Sequence, residues 1–375
     1  MFDQDRYKFT MLKAVSGQLK SSSPSVFTFI NRGGEDLRRV IPALDDRFSR
    51  LKSLPVPSLP VVTGEFHENS LDQDASGVSF FCSEEDGKIA VRVSGPWCKA
   101  TFYEGPVLQA VQEGYLADSV GLPLLSSSGR EGMRRLREKT EFYNRSLPGN
   151  CRIIEMGMRR AAGHDWHMAV VSYLAENLKS LAGTSSVVAA EKFGLKAMGT
   201  MAHEYLQIGQ RYVPATDANR FMLGLWVNKH AGTPMIALSD CLTTNQFFKE
   251  FTGDLARSFD GVRHDSGDPF VFGMRLAKHY RDQGINPSDK TICFSDGLKP
   301  ELAVSLAKEF SPVFREVYLG IGTDFTNDLP VPALKIVMKM TEFDGWPVVK
   351  IPDEAGKESG ISSQIADVRK ELGIP

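Results

Sequence analysis

The sequence predicts an α/β protein in which a small α+β unit precedes a larger unit built on a parallel sheet or barrel. Short strand patterns joined by a turn lie before residue 120. After residue 150, short apolar runs alternate with Gly-rich or acidic loops and amphipathic helices, the rhythm of repeated strand, loop and helix units. Residues 121–150, between them, are rich in Gly, Ser and charge. We therefore assign residues 1–130 to a smaller N-terminal domain and residues 131–375 to a larger one.

The N-terminal unit contains a predicted strand pair followed by a helix. VSFFC (78–82) and KIAVRVSG (88–95) have the composition of short strands, and EEDG between them predicts a turn. The segment YEGPVLQAVQEGYL (103–116) then predicts a helix. Together these elements indicate a small α+β arrangement.

The larger unit contains helices with one apolar face. In HMAVVSYLAENLKSLA, leucine and valine recur at helical spacing up to Leu181, and in TTNQFFKEFTGDLARSF the same spacing runs from Phe247 to Phe259. We interpret both faces as core. MIALSD (235–240), TICFSDG (291–297) and VYLGIGTD (317–324) predict buried strands that each end in a polar or Gly-containing loop. Active sites of parallel sheets and barrels lie at such carboxyl ends of strands.

Composition excludes several classes of protein. A chain of 375 residues with 42% hydrophobic content can bury a large core, so it is neither disordered nor fibrous. Its formal net charge of −2 gives no global attraction to nucleic acid or membrane. The start MFDQDRYKFTMLKAV does not resemble a signal peptide, and no stretch reaches the ~20 apolar residues of a membrane span, so we expect a cytoplasmic protein. Five scattered cysteines without a Cys-x-x-Cys pair predict no structural metal.

The first chemical motif is GTMAHE (199–204), which follows the loop AGTSSVVAAEKFG (182–194). Small residues and hydroxyls allow backbone N–H groups to approach an anion, and a helix that begins at Ser185 or Ser186 would add its positive end. His203 could then act on a phosphate. The alternative is that His203 is an ordinary polar loop residue.

The second motif is VRHDSGDP (262–269), where a basic residue, two acids and a turn glycine stand together. Arg263 could hold a phosphate or carboxylate in a two-pronged contact, and Asp265 could accept hydrogen bonds from sugar hydroxyls. Asp268 before Pro269 is also a good helix N-cap, which would explain it structurally.

Three further motifs carry weaker signals. LGIGTDFTND (319–328) follows a strand, and its Gly-x-Gly-Thr turn could bind a terminal phosphate, although short glycine turns are often only turns. In EMGMRRAAGHDW, Arg159 and Arg160 could grip phosphate or form a solvated basic face. On physical grounds alone, Tyr7 is more typical of an aromatic residue packed at the surface than of a residue that contacts a ligand. Several anion-suited loops together favour a phosphorylated substrate.

In their order along nearly the whole chain, these motifs resemble the nicotinate phosphoribosyltransferases, a type II phosphoribosyltransferase family. The similarity rests on the strings DRYKFTM, FINRGGED, YEGPVLQAVQE, MGMRRA, GTSSVVAAEKFG, GTMAHE, RHDSGDP, FSDGL and GIGTDF. The resemblance implies an irregular α/β barrel joined to the smaller N-terminal domain. It also implies a homodimer with shared active sites, in which the N-terminal segment can pack on the partner subunit.

The resemblance assigns roles at the pyridine and ribose positions. His203 matches the histidine that the family phosphorylates with ATP, and Thr200 matches a pyridine-site position. Tyr7 matches the aromatic that stacks on nicotinate, often supplied by the neighbouring subunit. Arg263 resembles the arginine near the substrate carboxylate and pyrophosphate, and Asp265 the ribose contact.

The resemblance also assigns the phosphate end. Gly322 and Thr323 fall where the family holds the 5′-phosphate, and Ser295, Asp296 and Gly297 line the same end. Arg159 and Arg160 match a phosphate-binding position.

The match has one departure from the family pattern, because many relatives read Phe-Gly-Thr-Arg-Arg where this chain has Met-Gly-Met-Arg-Arg from Met156. Met158 therefore removes a hydroxyl at the position before Arg159.

The implied reaction joins nicotinate to phosphoribosyl pyrophosphate, with ATP as co-substrate and Mg²⁺ bound to the pyrophosphate, on the salvage route to NAD. The alternatives are a nicotinamide or quinolinate phosphoribosyltransferase, or a barrel that binds phosphosugars without catalysis. Glu155 keeps the nicotinamide alternative open. It lies where related enzymes that use nicotinamide place an aspartate, and a carboxylate there could accept a hydrogen bond from the amide N–H₂.

Overall fold

Two sheets organise the chain in the computed structural model, which describes residues 3–53, 77–119, 126–354 and 356–374. The strands are β1 (Pro24–Asn31), β2 (Ser79–Glu85), β3 (Lys88–Pro96), β4 (Cys151–Glu155), β5 (Leu181–Thr184), β6 (Ile236–Leu238), β7 (Gly261–His264), β8 (Thr291–Phe294), β9 (Glu316–Ile321), β10 (Ile336–Phe343) and β11 (Trp346–Pro347). The helices are α1 (Arg6–Val15), α2 (Ile41–Ser53), α3 (Trp97–Ala100), α4 (Glu104–Ser119), α5 (Ser127–Ser146), α6 (His164–Asn177), α7 (Val187–Phe193), α8 (His203–Ile208), α9 (Ala218–His230), α10 (Thr244–Glu250), α11 (Gly253–Ser258), α12 (Pro269–Asp282), α13 (Pro300–Phe310), α14 (Thr323–Thr326) and α15 (Ser362–Leu372).

The first sheet is antiparallel, with strand order β11-β10-β1-β3-β2. The predicted strand pair before residue 96 is confirmed, and its turn places Asp86 and Gly87 at positive φ, as a two-residue hairpin requires. Strand β10 lies beside β1, with Thr28 opposite Lys339. This sheet therefore combines strands from the start and the end of the chain.

The second sheet is parallel, with strand order β5-β4-β9-β8-β7-β6, so the predicted mixed α/β fold with a parallel sheet is confirmed. Gly261 shows how closely its strands approach, because a Cβ there would lie 2.0 Å from the Thr291 carbonyl oxygen. The loops that follow these strands all start from the same edge of the sheet. Closure of the sheet into a barrel stays a prediction.

Two predicted helical patterns end earlier than their apolar spacing indicates. Helix α6 stops at Asn177, and Leu181 begins strand β5. The turn between them is held by Asn144, whose side chain accepts from the Lys179 N–H at 2.9 Å. The pattern from Phe247 to Phe259 similarly divides into α10, which ends at Glu250, and α11, which begins at Gly253, a residue at positive φ. The apolar residues keep helical spacing past the end of each helix because the residues on both sides of the break face the same core.

The predicted junction between the two parts of the chain contains a long helix. Residues 120–125 lie outside the described residues, and Ser127–Ser146 form α5, which a short segment connects to β4. Ser126 caps α5 by accepting from the Gly129 N–H at 3.2 Å. None of the helices described here has the length and apolar content needed to cross a bilayer.

Candidate functional site

A cavity of about 620 Å³ lies at the carboxyl ends of the parallel strands. Residues of α1 and β10 line its other sides. Every residue that the sequence analysis assigned to the site lines it. These residues are Tyr7, Arg159, Arg160, Thr200, His203, Arg263, Asp265, Ser295, Asp296, Gly297, Gly322 and Thr323. The structure thus brings residues from distant stretches of the chain into one cavity.

His203 is the first residue of α8 and is held by a buried carboxylate. Its Nε2 lies 2.8 Å from Asp240 Oδ1, and Asp240 Oδ2 lies 3.0 Å from Lys350 Nζ. Burial opposes the charged form of Asp240, but Lys350 and His203 hold its pKa well below the ordinary value. An ionised carboxylate only accepts hydrogen bonds, so His203 Nε2 must carry the proton. The lone pair of the neutral imidazole is therefore on Nδ1.

The same environment keeps His203 uncharged. Burial disfavours its cationic form and Lys350 adds repulsion, so the pKa falls to about 4 although Asp240 acts in the opposite direction. A neutral imidazole with a free ring nitrogen is a nucleophile at physiological pH.

Arg263, on β7, joins the GTMAHE loop to the acids of the next motif. Its Nη1 donates to Thr200 Oγ1 at 2.6 Å and to the Met201 carbonyl at 3.2 Å, and its Nη2 lies 3.3 Å from Asp265 Oδ2. Its Nε is buried and has no hydrogen-bond partner among the described residues. Asp265 Oδ1 accepts from Ser295 Oγ at 2.5 Å. Arg263 thus keeps one donor free while its orientation is fixed on two sides.

Tyr7 lies in the cavity of its own chain, buried beneath two cations. The Arg159 guanidinium is 5.5 Å and Lys8 Nζ is 5.4 Å from the centre of its ring. Arg159 also pairs with Asp5 and Glu104, each at 3.1 Å. Arg159 therefore lies at the Tyr7 end of the cavity, committed to two carboxylates. Its predicted contact with phosphate stays a prediction.

Arg160 differs from its neighbour Arg159. Its side chain is exposed and makes no ion pair within the described ranges, and its carbonyl accepts from Asn327 Nδ2 at 2.8 Å. This arginine is therefore free to meet an anion in the cavity.

The turn after β9 has an unsatisfied hydroxyl. Thr323 Oγ1 is buried without a hydrogen-bond partner in the described part of the chain. A Cβ at Gly322 would lie 3.0 Å from the Met156 carbonyl oxygen, so glycine lets this turn pass close to the β4 loop. Gly297, in the neighbouring loop, adopts positive φ, which favours glycine there. These features suit a turn that receives an external acceptor such as phosphate.

A buried ion cluster beside Tyr7 was not predicted from the sequence. Lys8, with 1% of its side chain exposed, lies 2.7 Å from Glu104 and 3.1 Å from Glu204, and Thr101 donates to Glu204 as well. Burial lowers the pKa of Lys8, but the two carboxylates outweigh burial and raise it. Lys8 stands among apolar residues in YKFTML, which hints at burial, but its partners are too distant in sequence to form a pattern.

A set of basic side chains on the antiparallel sheet and the segments that flank its strands was also not predicted from the sequence. The cavity-lining members of this set are Arg32, Lys335, Lys339, Lys350 and Lys357. Burial, followed by repulsion from Lys350, lowers the pKa of Lys339 to about 8. In the sequence, these residues do not share a recognisable motif. They reach the cavity because β10 joins the sheet of β1.

Glu155 does not line the cavity. Its Oε1 accepts from the Gly157 N–H at 2.5 Å, and its Oε2 accepts from Thr184 Oγ1 at 2.5 Å and lies 3.2 Å from His167 Nε2. The carboxylate is fully used inside the protein. The cavity wall after β5 instead carries Ser185, whose hydroxyl has no hydrogen-bond partner among the residues described.

Among the residues that the structure describes, one group of side chains has ligand atoms close enough to hold a metal ion. Ligand atoms of His203, Asp240 and Asp265 lie within 4.8 Å of one another. Lys350 and Arg263 already pair with these two carboxylates, and His203 Nε2 is hydrogen-bonded to Asp240. The donor set is therefore balanced by protein cations and is a poor fit to a resident metal.

Comparisons with known proteins agree with these observations. The sequence model of the nicotinate phosphoribosyltransferase (NAPRTase) family matches residues 151–375. A nicotinate phosphoribosyltransferase of Ralstonia nicotianae is 35% identical over 381 residues, which covers 95% of this chain and 94% of the relative. The crystal structure of nicotinate phosphoribosyltransferase from Vibrio cholerae has a TM-score of 0.87 at 28% identity, covering 99% of this chain and 93% of that one. The corresponding structure from Porphyromonas gingivalis has a TM-score of 0.87 at 26% identity and covers 99% and 98%.

The site predicts that the imidazole of His203 stays neutral down to about pH 4. Because this pKa lies below the ordinary value of 6.5, protonation favours the unfolded chain, and stability is lost as the pH falls from 6.5 towards 4. NMR titration of ¹⁵N-labelled histidine measures the pKa directly. Lys350→Met should raise it, since a nearby cation is removed, and a wild-type value of 6 or above would contradict this environment.

Proposed function

The chain belongs to the nicotinate phosphoribosyltransferase family, and we propose that it forms nicotinate mononucleotide and pyrophosphate from nicotinate and phosphoribosyl pyrophosphate. The observation that carries the proposal is the single cavity at the carboxyl ends of the parallel strands. It combines the turn at Thr323, whose buried hydroxyl has no hydrogen-bond partner among the described residues, with acids that are paired to protein cations. It also contains several basic side chains and the buried aromatic ring of Tyr7. A phosphorylated sugar and a flat anionic ring need these features in combination.

The substrates fit the cavity in one direction. The 5′-phosphate meets the turn at Gly322 and Thr323 together with the loop at Gly297, and the ribose hydroxyls meet Asp265. The pyridine ring lies against Tyr7 near Thr200. The pyrophosphate then faces the basic side chains of Lys339 and Lys350, with Arg32 beside it. This orientation is supported by the free hydroxyl of Thr323 and by the basic residues that line the cavity.

The reaction forms a bond between the pyridine nitrogen and ribose C1 while the bond from C1 to the pyrophosphate oxygen breaks. The electron pair of the broken bond leaves on the pyrophosphate, so positive charge develops on the ribose and negative charge on the leaving group. Arg263, Lys339 and Lys350 stabilise the leaving group, and Asp265 orients the ribose. The protein contributes mainly positioning and charge stabilisation.

Magnesium enters as part of the substrate, bound to the pyrophosphate of phosphoribosyl pyrophosphate. Mg²⁺ keeps most of its waters and needs few protein ligands, in agreement with a site whose acids are already paired with Lys350 and Arg263. When bound, it neutralises charge on the pyrophosphate oxygens.

We further propose that ATP drives the reaction through a phosphohistidine at His203. The lone pair on Nδ1 attacks the γ-phosphorus, ADP leaves with the electrons of the broken P–O bond, and Asp240 stabilises the positive charge on the ring. The new phosphate adds charge and hydrogen-bond acceptors beside Arg263, which can order the loops around the substrates. Its later hydrolysis to inorganic phosphate relaxes them. The neutral imidazole and its buried carboxylate support this role.

The acceptor is proposed to be nicotinate rather than its amide. Glu155, the residue that could have accepted from the amide of nicotinamide, has its carboxylate occupied by Gly157, Thr184 and His167 outside the cavity. The corresponding wall offers the neutral hydroxyl of Ser185, which can donate to a carboxylate. Quinolinate remains the second candidate acid, and a non-catalytic barrel is disfavoured by the intact cluster around His203.

The cellular setting follows from the same family membership. We propose action in the cytoplasm on the salvage route to NAD, with nicotinate, phosphoribosyl pyrophosphate and ATP as partners. A homodimer that completes each site is proposed from the resemblance alone, since Tyr7 already lines the cavity of its own chain.

The proposed activity can be tested with radiolabelled acceptors. Purified protein is incubated with phosphoribosyl pyrophosphate, Mg²⁺ and ATP, and with labelled nicotinate, nicotinamide or quinolinate in parallel. We expect labelled nicotinate mononucleotide from the first mixture, with little product from the other two. Product from nicotinamide or quinolinate in preference would favour those enzymes, and no product from any acceptor would indicate a binding protein.

The phosphohistidine predicts the behaviour of His203→Ala. The variant should lose the gain in substrate affinity that ATP gives, because no nucleophile remains to be phosphorylated, and it should keep a slower ATP-independent transfer. Michaelis constants with and without ATP, together with incorporation of label from γ-³²P ATP, measure both effects. A variant that keeps full ATP stimulation would show that another residue carries this role.

Arg263 is expected to be sensitive even to a conservative change. Arg263→Lys should lower kcat/KM by about tenfold or more, since a lysine cannot reproduce the planar fork that contacts Thr200 and Asp265 and still offers a donor to the substrate. Arg281→Lys, on the exposed surface of α12, is the matched control. Steady-state kinetics with unchanged turnover and Michaelis constants for Arg263→Lys would refute the assignment.

A further inference from the structure

Helix α5 contacts the phosphate turn through a lysine that no motif includes. Lys139 Nζ lies 3.0 Å from Asp324 Oδ2 and 2.6 Å from Asp328 Oδ2, and it donates to the Asp324 main-chain carbonyl at 2.5 Å. Both carboxylates line the cavity, and Asp324 directly follows Thr323. The side chain of Lys139 is 13% exposed, so the contact is largely shielded from solvent.

We propose that Lys139 is a positioning residue that makes the turn of Gly322 and Thr323 able to hold the 5′-phosphate of phosphoribosyl pyrophosphate. The inference rests on the proposed function, because it assumes that this turn receives the phosphate. Lys139 acts through Asp324 and Asp328 and does not itself line the cavity.

The need for such a residue follows from the charges at this end of the cavity. A phosphate that approaches Thr323 also approaches the carboxylates of Asp324 and Asp328. Like charges a few ångströms apart in a partly buried site repel strongly. Cations paired with these acids remove most of that repulsion, and those on α5 hold at least one oxygen of each carboxylate towards that helix.

Lys139 is the cation best placed for this work. Lys299 reaches Asp324 at 2.6 Å, but 66% of its side chain is exposed, so solvent weakens its effect. Arg135 pairs with Asp328 at 2.9 Å and also with Glu131, which uses part of its charge. Among the described residues, Lys139 alone pairs with both Asp324 and Asp328.

The helix that carries Lys139 is fixed against the same turn by packing. Tyr143 of α5 makes an edge contact with Phe325, at 5.9 Å between ring centres. Gly132 lies so close to Leu329 and Trp166 that a Cβ would come within 2.7 Å of the Leu329 side chain. Because α5 is anchored on both sides of Lys139, the position of the ammonium group relative to the turn is set by the fold.

The test is steady-state kinetics of Lys139→Met. We expect the Michaelis constant for phosphoribosyl pyrophosphate to rise at least tenfold at low salt, while kcat and the Michaelis constant for nicotinate change less than threefold. Raising the ionic strength to about 0.5 M should narrow the difference from wild type, because salt in the open cavity partly screens the repulsion between the incoming phosphate and the two carboxylates. A residue needed only for folding would instead lower kcat without this selectivity.

Three further variants sharpen the result. Lys139→Arg should stay within threefold of wild type, since a guanidinium can bridge two carboxylates. Asp328→Asn, added to Lys139→Met, should restore much of the lost affinity by removing one of the repelling charges. Arg137→Met, on the exposed face of the same helix, removes an equal charge and should behave as wild type. If Lys139→Met is poorly folded, Lys139→Gln replaces it in the same series.

The outcomes separate the two proposals. Wild-type protein that makes no nicotinate mononucleotide overturns the proposed function. Active wild-type protein, with an unchanged Michaelis constant for phosphoribosyl pyrophosphate in folded Lys139→Met or Lys139→Gln, overturns the role of Lys139 alone. The same conclusion follows if kcat falls and the Michaelis constant for phosphoribosyl pyrophosphate does not move, or if Arg137→Met gives the same rise.

Discussion

Parallel pairing of the strands from β4 to β9 is the constraint on which the rest of the site depends. Parallel neighbours place their carboxyl ends at one edge of the sheet, so loops that are far apart in sequence leave from the same side. Arg263 lies on β7, Ser295 follows β8 and Thr323 follows β9. His203 begins α8 after the chain returns beside β5 through the parallel bridge of Thr184 and Ala197. The cavity forms where these loops come together, because parallel pairing places the start of each loop at the same edge of the sheet.

Charge balance is the second feature that shapes the cavity. Asp240 is fully buried between His203 and Lys350, and Lys8 is buried between Glu104 and Glu204. Removal of one partner from such a set leaves an uncompensated charge, which is costly in a protein interior. The acids are therefore not free to attract a cation, and the donors left without partners are those that an anionic substrate can use. Electrostatics and fold lead to the same class of ligand.

Sequence patterns predicted what is local and missed what is distant. Strands that end in polar loops were recognisable, and with the family resemblance they yielded a set of residues that all line one cavity. Partners such as Lys8 and Glu204 are 196 residues apart, and no spacing relates them. The basic wall around Lys339 depends on β10 joining the sheet of β1, a pairing that strand patterns do not specify. The sequence left the role of Glu155 open, because a position at the end of a strand does not reveal that the carboxylate is turned inward towards Gly157, Thr184 and His167.

The most direct measurement of the central claim is a crystal structure with nicotinate mononucleotide bound. The account predicts one nucleotide in the cavity, with its phosphate within hydrogen-bond distance of Thr323 Oγ1 and its pyridine ring against Tyr7. A nucleotide bound outside this cavity, or one with its phosphate and pyridine at the opposite ends, would contradict it.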